Sequence, residues 1–276
     1  MRFGIPQLVI GLTIVAMGTS APEAAVSIAA AVKGNADITI GNIVGSNILN
    51  ILVILGLAAS IVPIAVARST VRIEIPFMIG VTALLFYQGR DGSISLADGG
   101  VLMVAFATYM MYLYTMAMKS NVDSDLEEPG LPLGRCLLGA VGGLALIIAG
   151  SNVTVGAATS IATYAGLSER FIGLTIVALG TSLPELFTSV AAARRGNADI
   201  AIGNIVGSNI FNILFVVGLS SLIIDIPFAS AFNFDTYVAL GAAVLLWLCV
   251  LRTQKLQRWA GALMLVCYAA YLGYIL

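Results

Sequence analysis

Histidine is absent from this 276-residue sequence, and charged residues make up only 10% of it. Without histidine, neither a histidine-ligated metal site nor a histidine proton shuttle can be built. The 13 lysine and arginine residues form no basic patch, so nothing indicates nucleic-acid binding. The three cysteines are scattered and form no CxxC pair, which favours small core residues over metal ligands.

Apolar residues are abundant instead, at 59% of the chain, and the mean hydropathy is +1.02. Apolar runs of about 20 residues, long enough to cross a bilayer, recur along the sequence, and no short alternating segments indicate a β-barrel. The chain is therefore predicted to be an all-α polytopic membrane protein. Nine helices are predicted, at 6–32, 38–62, 71–88, 97–118, 136–163, 169–194, 200–224, 233–252 and 257–275.

The sequence contains an internal repeat. Residues 10–57 recur at 172–219 with a constant offset of 162 and 35 identities in 48 positions. The helix predicted at 136–163 has no counterpart in the first half, so we expect a ten-helix architecture whose first helix is missing, with a genuine nine-helix protein as the alternative. The predicted organisation is a first repeat (1–118), a linker (119–134) and a second repeat (135–276).

The positive charges indicate how the repeats lie in the membrane. If the predicted helices alternate in direction, ten of the 13 lysine and arginine residues fall on one side. This bias predicts a cytoplasmic linker and an outside C-terminus. Equivalent points of the repeats are separated by five helices, and an odd number inverts the topology. Inverted repeats are typical of alternating-access transporters.

Each repeat contains a polar motif within an apolar stretch, GTSAPE at 18–23 and GTSLPE at 180–185. Proline removes a backbone donor and frees a carbonyl, which a membrane tolerates only where protein, water or a cation satisfies it. Helical spacing places carbonyl, hydroxyl and carboxylate oxygens on one face. The two sets are Ala16, Thr19, Ser20 and Glu23, and Ala178, Thr181, Ser182 and Glu185.

For the hydroxyls there is an alternative to ion binding. It is an ordinary proline kink in which the Ser and Thr side chains hydrogen-bond to backbone carbonyls of their own helix. For Glu23 and Glu185 it is weak, because a carboxylate at mid-membrane costs about 2.5–3.5 kcal/mol on insertion scales. The neighbouring helix cores offer no basic residue to pair them. A bound cation is the simplest compensation.

A second motif, GNIVGSNILN at 41–50 and GNIVGSNIFN at 203–212, adds neutral oxygens. Ser46 and Asn50 are four residues apart, as are Ser208 and Asn212, so each pair shares a helix face. Close helix packing at the glycines is an alternative that is compatible with ion binding. A set of hard oxygens suits Ca²⁺ and Na⁺. The charge of two carboxylates balances either one Ca²⁺ or several Na⁺ bound across adjacent oxygens. The two ions would therefore compete for one site, and this competition is the physical basis of antiport.

These motifs, present twice and inverted, resemble the two α-repeats of the cation/calcium exchanger superfamily, in particular its bacterial sodium/calcium exchanger-like branch. The resemblance implies that Glu23 and Glu185 are the central Ca²⁺ ligands and that Asn50 and Asn212 have central polar roles. Some prokaryotic and potassium-dependent members have Asp where Asn212 stands, so the Asn in this chain argues against K⁺ coupling and leaves the stoichiometry open. It also implies Na⁺ sites built from Ala16, Thr19, Ser20 and Ser46, and from Ala178, Thr181, Ser182 and Ser208.

The predicted function is secondary active exchange of Ca²⁺ for Na⁺ by alternating access at a mid-membrane two-glutamate site. A Ca²⁺/H⁺ antiporter, a cation channel and a non-transporting fragment are the alternatives. No nucleophile–base pair indicates an enzyme. We expect no cofactor, no obligate protein partner, and a multi-pass location in the inner membrane, with Ca²⁺, Na⁺ and the lipid bilayer as partners.

Overall fold

The structure, a computed structural model, describes residues 5–33, 37–119, 133–166 and 178–275. Most of the predicted linker 119–134 lies outside the described residues, as do residues 169–177 of the helix predicted at 169–194. The described chain is almost entirely helical, which confirms the predicted class.

The helices of the first repeat follow each other with short connections. They are α1 (Gln7–Thr19), α2 (Ala21–Val32), α3 (Asp37–Leu49, continued by Asn50–Leu55 and Gly56–Ile61), α4 (Thr70–Asp91) and α5 (Leu96–Lys119). Those of the second repeat are α6 (Leu133–Tyr164), α7 (Ala178–Thr181), α8 (Leu183–Arg194), α9 (Ala198–Ile223), α10 (Ala231–Leu251) and α11 (Arg258–Ile275).

The number of helices agrees with the prediction. If α1 with α2 and α7 with α8 are each counted as one broken helix, the described residues contain nine. Six of the described helices are long and apolar enough to cross a bilayer, and a seventh crossing is reached if α1 and α2 form one span.

Four two-residue strands, which the sequence analysis did not predict, join the repeats. They are β1 (Ile64–Ala65), β2 (Ser93–Ile94), β3 (Ile226–Pro227) and β4 (Lys255–Leu256). β1 pairs antiparallel with β4, and β2 with β3. The pair Ile64–Leu256 becomes the pair Ile226–Ile94 when the 162-residue offset is applied to each strand. The two ladders therefore obey the same pseudo-symmetry as the sequence repeat.

The two helices that bear the GNIVGSN motif, α3 and α9, form the centre of the molecule and are the most buried spans. The last helix of each repeat packs against the end of the other repeat's central helix: α5 against α9, and α11 against α3. Small residues permit this approach, since a Cβ on Gly261 would lie 2.6 Å from the Gly56 carbonyl oxygen. The repeats are thus interlocked around a shared core.

Helix α6 lies at the edge of this arrangement. It is 32 residues long and packs against α7 and α8. Leu138, Leu146 and Val153 are exposed along its length. These exposed apolar side chains show that α6 lies on the outside of the described bundle.

Candidate ion-binding site

The GTSAPE motif breaks its helix. One span was predicted over 6–32, with Pro22 interrupting its backbone hydrogen bonds. In the structure α1 ends at Thr19, α2 begins at Ala21, and the two are bent by 48°. Ser20 lies at the break with φ −81° and ψ 7°, outside helical geometry. Pro22 in the first turn of α2 is the physical reason, because a proline is tolerated there but not inside a continuous helix.

The GTSLPE motif repeats this geometry. Ser182 separates α7 from α8 with φ −85° and ψ 6°, and Pro184 lies in the first turn of α8. The predicted helix 169–194 is therefore also broken. Glu23 and Glu185 each occupy the first turn of the helix that follows the break. The positive end of the helix dipole favours a carboxylate at that position.

Each carboxylate is held by the other repeat. The hydroxyl of Ser20 donates a hydrogen bond to Glu185 Oε1 at 2.8 Å, and the hydroxyl of Ser182 donates to Glu23 Oε1 at 2.9 Å. Both glutamates are fully buried. The two breaks thus meet at the interface between the repeats and bring both carboxylates into one polar site.

Two asparagines that the sequence analysis did not single out hold the breaks in place. Asn42 on α3 accepts a bond from the Thr181 hydroxyl at 3.3 Å, and Asn204 on α9 accepts one from Thr19 at 3.0 Å. The amide of Asn42 also donates to the Glu23 carbonyl oxygen at 3.4 Å. A signal was available, since Asn42 precedes Ser46 by four residues and shares its helix face.

A second asparagine network joins α3 to α9. Asn47 and Asn209 exchange side-chain to backbone bonds, each 3.2 Å long. The side-chain oxygen of Asn209 accepts a bond from Asn50 (2.9 Å), and that of Asn47 accepts one from Asn212 (3.2 Å). Both α3 and α9 are π-helical from the site asparagine onward, over Asn50–Leu55 and Asn212–Val217. Such π-helical turns are frequent at functional sites.

Five buried oxygens at this site have no hydrogen-bond partner. They are Glu23 Oε2, Glu185 Oε2, Asn50 Oδ1, Asn212 Oδ1 and Ser46 Oγ. Leaving a buried acceptor unsatisfied costs about 1–3 kcal/mol, and more if it is charged. Two carboxylate and three neutral oxygens form the kind of ligand set that Ca²⁺ and Na⁺ prefer.

The two halves of the site differ in one contact. Ser208 Oγ donates to the Ala16 carbonyl oxygen at 3.4 Å and lies 3.3 Å from Glu185 Oε1, whereas its counterpart Ser46 Oγ has no partner. The Ala16 and Ala178 carbonyls otherwise match, since each accepts a bond from the threonine three residues later, Thr19 or Thr181, at 3.2 Å. The Ser46 half therefore contains one more unpartnered oxygen than the Ser208 half.

The structure buries all twelve residues that the sequence analysis chose for the site. Hydrogen bonds connect most of them to one another or to the asparagines around them. They are Ala16, Thr19, Ser20, Glu23, Ser46, Asn50, Ala178, Thr181, Ser182, Glu185, Ser208 and Asn212. Their role as cation ligands stays a prediction.

Comparison with known proteins places the chain in a family. The family model described as "Sodium/calcium exchanger protein" matches residues 1–115 and 136–276. The chain belongs to the sodium/calcium exchanger family. It is a family of membrane transporters, and the prediction that the chain is not an enzyme is confirmed.

Individual relatives of this exchanger-family chain match over most of their length. It is 40% identical to the putative antiporter CaxA of Alkalimonas amylolytica over 281 residues, which cover 99% of this chain and 88% of that protein. It is 42% identical to the inner membrane protein YrbG of Escherichia coli over 234 residues, which cover 80% and 71%. The solved structure of the sodium-calcium exchanger NCX_Mj soaked with 2.5 mM Na⁺ and 10 mM Sr²⁺ matches with a TM-score of 0.83 and 33% identity, covering 99% and 88%.

Proposed function

We propose that this chain exchanges Ca²⁺ for Na⁺ across a membrane at the site formed by Glu23 and Glu185. The main support is the set of buried, unpartnered oxygens around two carboxylates. A cation would satisfy these oxygens and neutralise the carboxylates together, whereas an apolar or anionic ligand would do neither. Membership of the sodium/calcium exchanger family supports the same conclusion.

The ion ligands follow from the contacts. Glu23 and Glu185, together with the amide oxygens of Asn50 and Asn212, are the proposed Ca²⁺ ligands, because their free oxygens are buried at the meeting point of the repeats. The proposed Na⁺ ligands flank them. They are Ala16, Thr19, Ser20 and Ser46 on one side, and Ala178, Thr181, Ser182 and Ser208 on the other.

Exchange follows from the charge balance. Two carboxylates neutralise one Ca²⁺, and they neutralise Na⁺ ions bound across the neighbouring clusters equally well. Because both ions need the same glutamate oxygens, neither binds while the other is present. A site shared by two inverted repeats can open to one side of the membrane at a time, which is alternating access.

The proposed arrangement in the membrane follows the sequence analysis. Two inverted repeats (1–118 and 135–276) are joined by a cytoplasmic linker (119–134), and the C-terminus lies outside. The name of the relative YrbG supports an inner-membrane location. The charge bias of the loops supports the orientation.

The test is uptake of radioactive Ca²⁺ into proteoliposomes loaded with Na⁺, K⁺ or choline at equal ionic strength. Exchange requires rapid uptake only with internal Na⁺. Uptake driven by an acid interior in the absence of Na⁺ would instead indicate Ca²⁺/H⁺ antiport, since the carboxylates can also bind protons. Uptake that needs neither gradient would indicate a channel, and no uptake under any condition would indicate a non-transporting chain. The Glu185→Gln variant is the matched negative control.

A further inference from the structure

A third buried glutamate lies outside this site. Glu74 is in the first turns of α4 and is fully buried within a membrane-spanning helix. The hydroxyl of Tyr112 on α5 donates a hydrogen bond to Glu74 Oε1. The other carboxylate oxygen, Oε2, is buried and has no hydrogen-bond partner.

Two more unpartnered oxygens lie beside this carboxylate. Thr70 is one helical turn before Glu74, with its hydroxyl next to the carboxyl group. Tyr109 is one turn before Tyr112, interacts electrostatically with Glu74, and stacks on Phe77 with ring centroids 5.3 Å apart. Thr70 Oγ1 and the Tyr109 hydroxyl are both buried without a hydrogen-bond partner. Two facing helices thus present three unsatisfied oxygens, one of them on a carboxyl group.

The second repeat provides an internal comparison. The offset of 162 relates Glu74 to Thr236 and Tyr109 to Tyr271. The Thr236 hydroxyl donates to the Phe232 carbonyl at 2.8 Å, and Tyr271 donates to Asp235 at 3.0 Å. The Tyr271 hydroxyl, unlike that of Tyr109, is therefore satisfied, and Glu74 has no carboxyl counterpart. The repeat architecture itself thus does not require unsatisfied oxygens at this place.

The neighbouring groups set the charge of any ligand. On α4, Arg72 is exposed, and Ser69, immediately before the helix, has its hydroxyl near the carboxyl group. Among the described residues of α5, Tyr109 and Tyr112 interact with Glu74. On α10, which packs against α4, the Trp247 indole N–H donates to the Val71 carbonyl at 2.9 Å and is not available to Glu74. One carboxylate with two hydroxyls balances a single positive charge, and hard oxygens favour a hard cation.

We propose that Glu74, Thr70 and Tyr109 bind one monovalent cation, a proton or Na⁺, at a site separate from the Glu23–Glu185 site. The cation neutralises a carboxylate that is otherwise expensive to keep within a membrane. It thereby preserves the Tyr112–Glu74 bond, which connects α4 to α5. Binding at this site stabilises the scaffold and does not depend on the proposed exchange function.

The experiment removes the central site first. Thermal unfolding of the full chain with Glu23→Gln and Glu185→Gln is followed in detergent in two series. In one, Na⁺ replaces choline at fixed pH and ionic strength. In the other, pH is lowered without Na⁺. A ligand that binds only the folded state raises the unfolding temperature with its concentration. We expect the unfolding temperature to rise to a plateau in one of the two series. The series that responds identifies the ligand as Na⁺ or a proton. Adding Glu74→Gln should abolish this rise.

Asp235→Asn is the matched control, because Asp235 is equally buried and also accepts a bond from a tyrosine. It should keep the response. Should Glu74→Gln fail to fold, Thr70→Val and Tyr109→Phe each remove one oxygen and should raise the half-saturating ligand concentration severalfold. A parent that responds in neither series, or a response that survives Glu74→Gln, would overturn the proposal.

Discussion

Ser20 in the first repeat donates a hydrogen bond to Glu185 in the second at 2.8 Å, across 165 residues of sequence. Its counterpart Ser182, in the second repeat, donates the equivalent hydrogen bond to Glu23 in the first repeat at 2.9 Å. Each carboxylate therefore receives a hydrogen bond from the other repeat. A relative shift of the repeats would alter both bonds together, so the ion site and the repeat interface are one structure.

The first prediction concerns the two carboxylates. Glu23→Gln and Glu185→Gln should each lower Ca²⁺ affinity at least about thirtyfold, since removing one partner of a buried charge pair costs about 2–5 kcal/mol. Equilibrium binding of radioactive Ca²⁺ measures the effect. Asp235→Asn removes a buried carboxylate elsewhere and should bind almost normally. Wild-type affinity in Glu185→Gln would show that the site is assigned wrongly.

The second prediction concerns ion competition. Raising Na⁺ should weaken Ca²⁺ binding more steeply than equal K⁺, because Na⁺ occupies the same glutamate oxygens. Total ionic strength is held constant with choline, so that screening of charges contributes equally in both series. If Na⁺ and K⁺ displace Ca²⁺ equally, the shared-site explanation fails.

The third prediction concerns the asparagine network. Asn209→Ala leaves the Asn50 amide without its hydrogen-bond acceptor and removes the bond to the Asn47 backbone carbonyl, in the buried centre of the molecule. Each unsatisfied group costs about 1–3 kcal/mol, so the free energy of unfolding should fall by at least about that amount. Asn197→Ala, at a helix start where the side chain makes no capping bond, should change it little. Equal unfolding temperatures for the two variants would contradict a structural role for the network.

Helical spacing was sufficient to predict which oxygens face the site. Ala16, Thr19 and Ser20 follow from local geometry, because positions three and four residues apart share a helix face. The role of Asn204 was not predictable in this way, since its bond to Thr19 crosses 185 residues and depends on how the repeats pack.

The sequence predicted that Pro22 disrupts its helix, but it did not predict a complete break at Ser20. Proline at a first turn and proline in a kinked continuous helix give the same sequence pattern. Packing against the second repeat decides between them, through the bond from Ser20 to Glu185. The short strands were missed because two residues are too few for a periodic pattern to appear.

The last prediction concerns the close crossing of α1 and α9. A Cβ added at Gly207 would lie 2.7 Å from the Leu12 carbonyl oxygen and 2.9 Å from the Ala16 Cβ. Backbone atoms cannot move aside as a flexible side chain can, so Gly207→Ala should push the helices apart. Overpacking of this kind costs about 1–3 kcal/mol of unfolding free energy.

Ion binding should weaken as well, because Ser208 next to this glycine donates to the Ala16 carbonyl at 3.4 Å. Gly41→Ala is the control, since its Cβ would meet only the edge of the Phe232 ring at 3.5 Å, an ordinary contact. Thermal unfolding and Na⁺-dependent Ca²⁺ displacement measure the two effects. We expect the unfolding temperature and the Na⁺-dependent displacement of Ca²⁺ to fall in Gly207→Ala, and neither to fall in Gly41→Ala. Normal ion binding in a destabilised Gly207→Ala would mean that the α1–α9 spacing supports the fold without positioning the ligands.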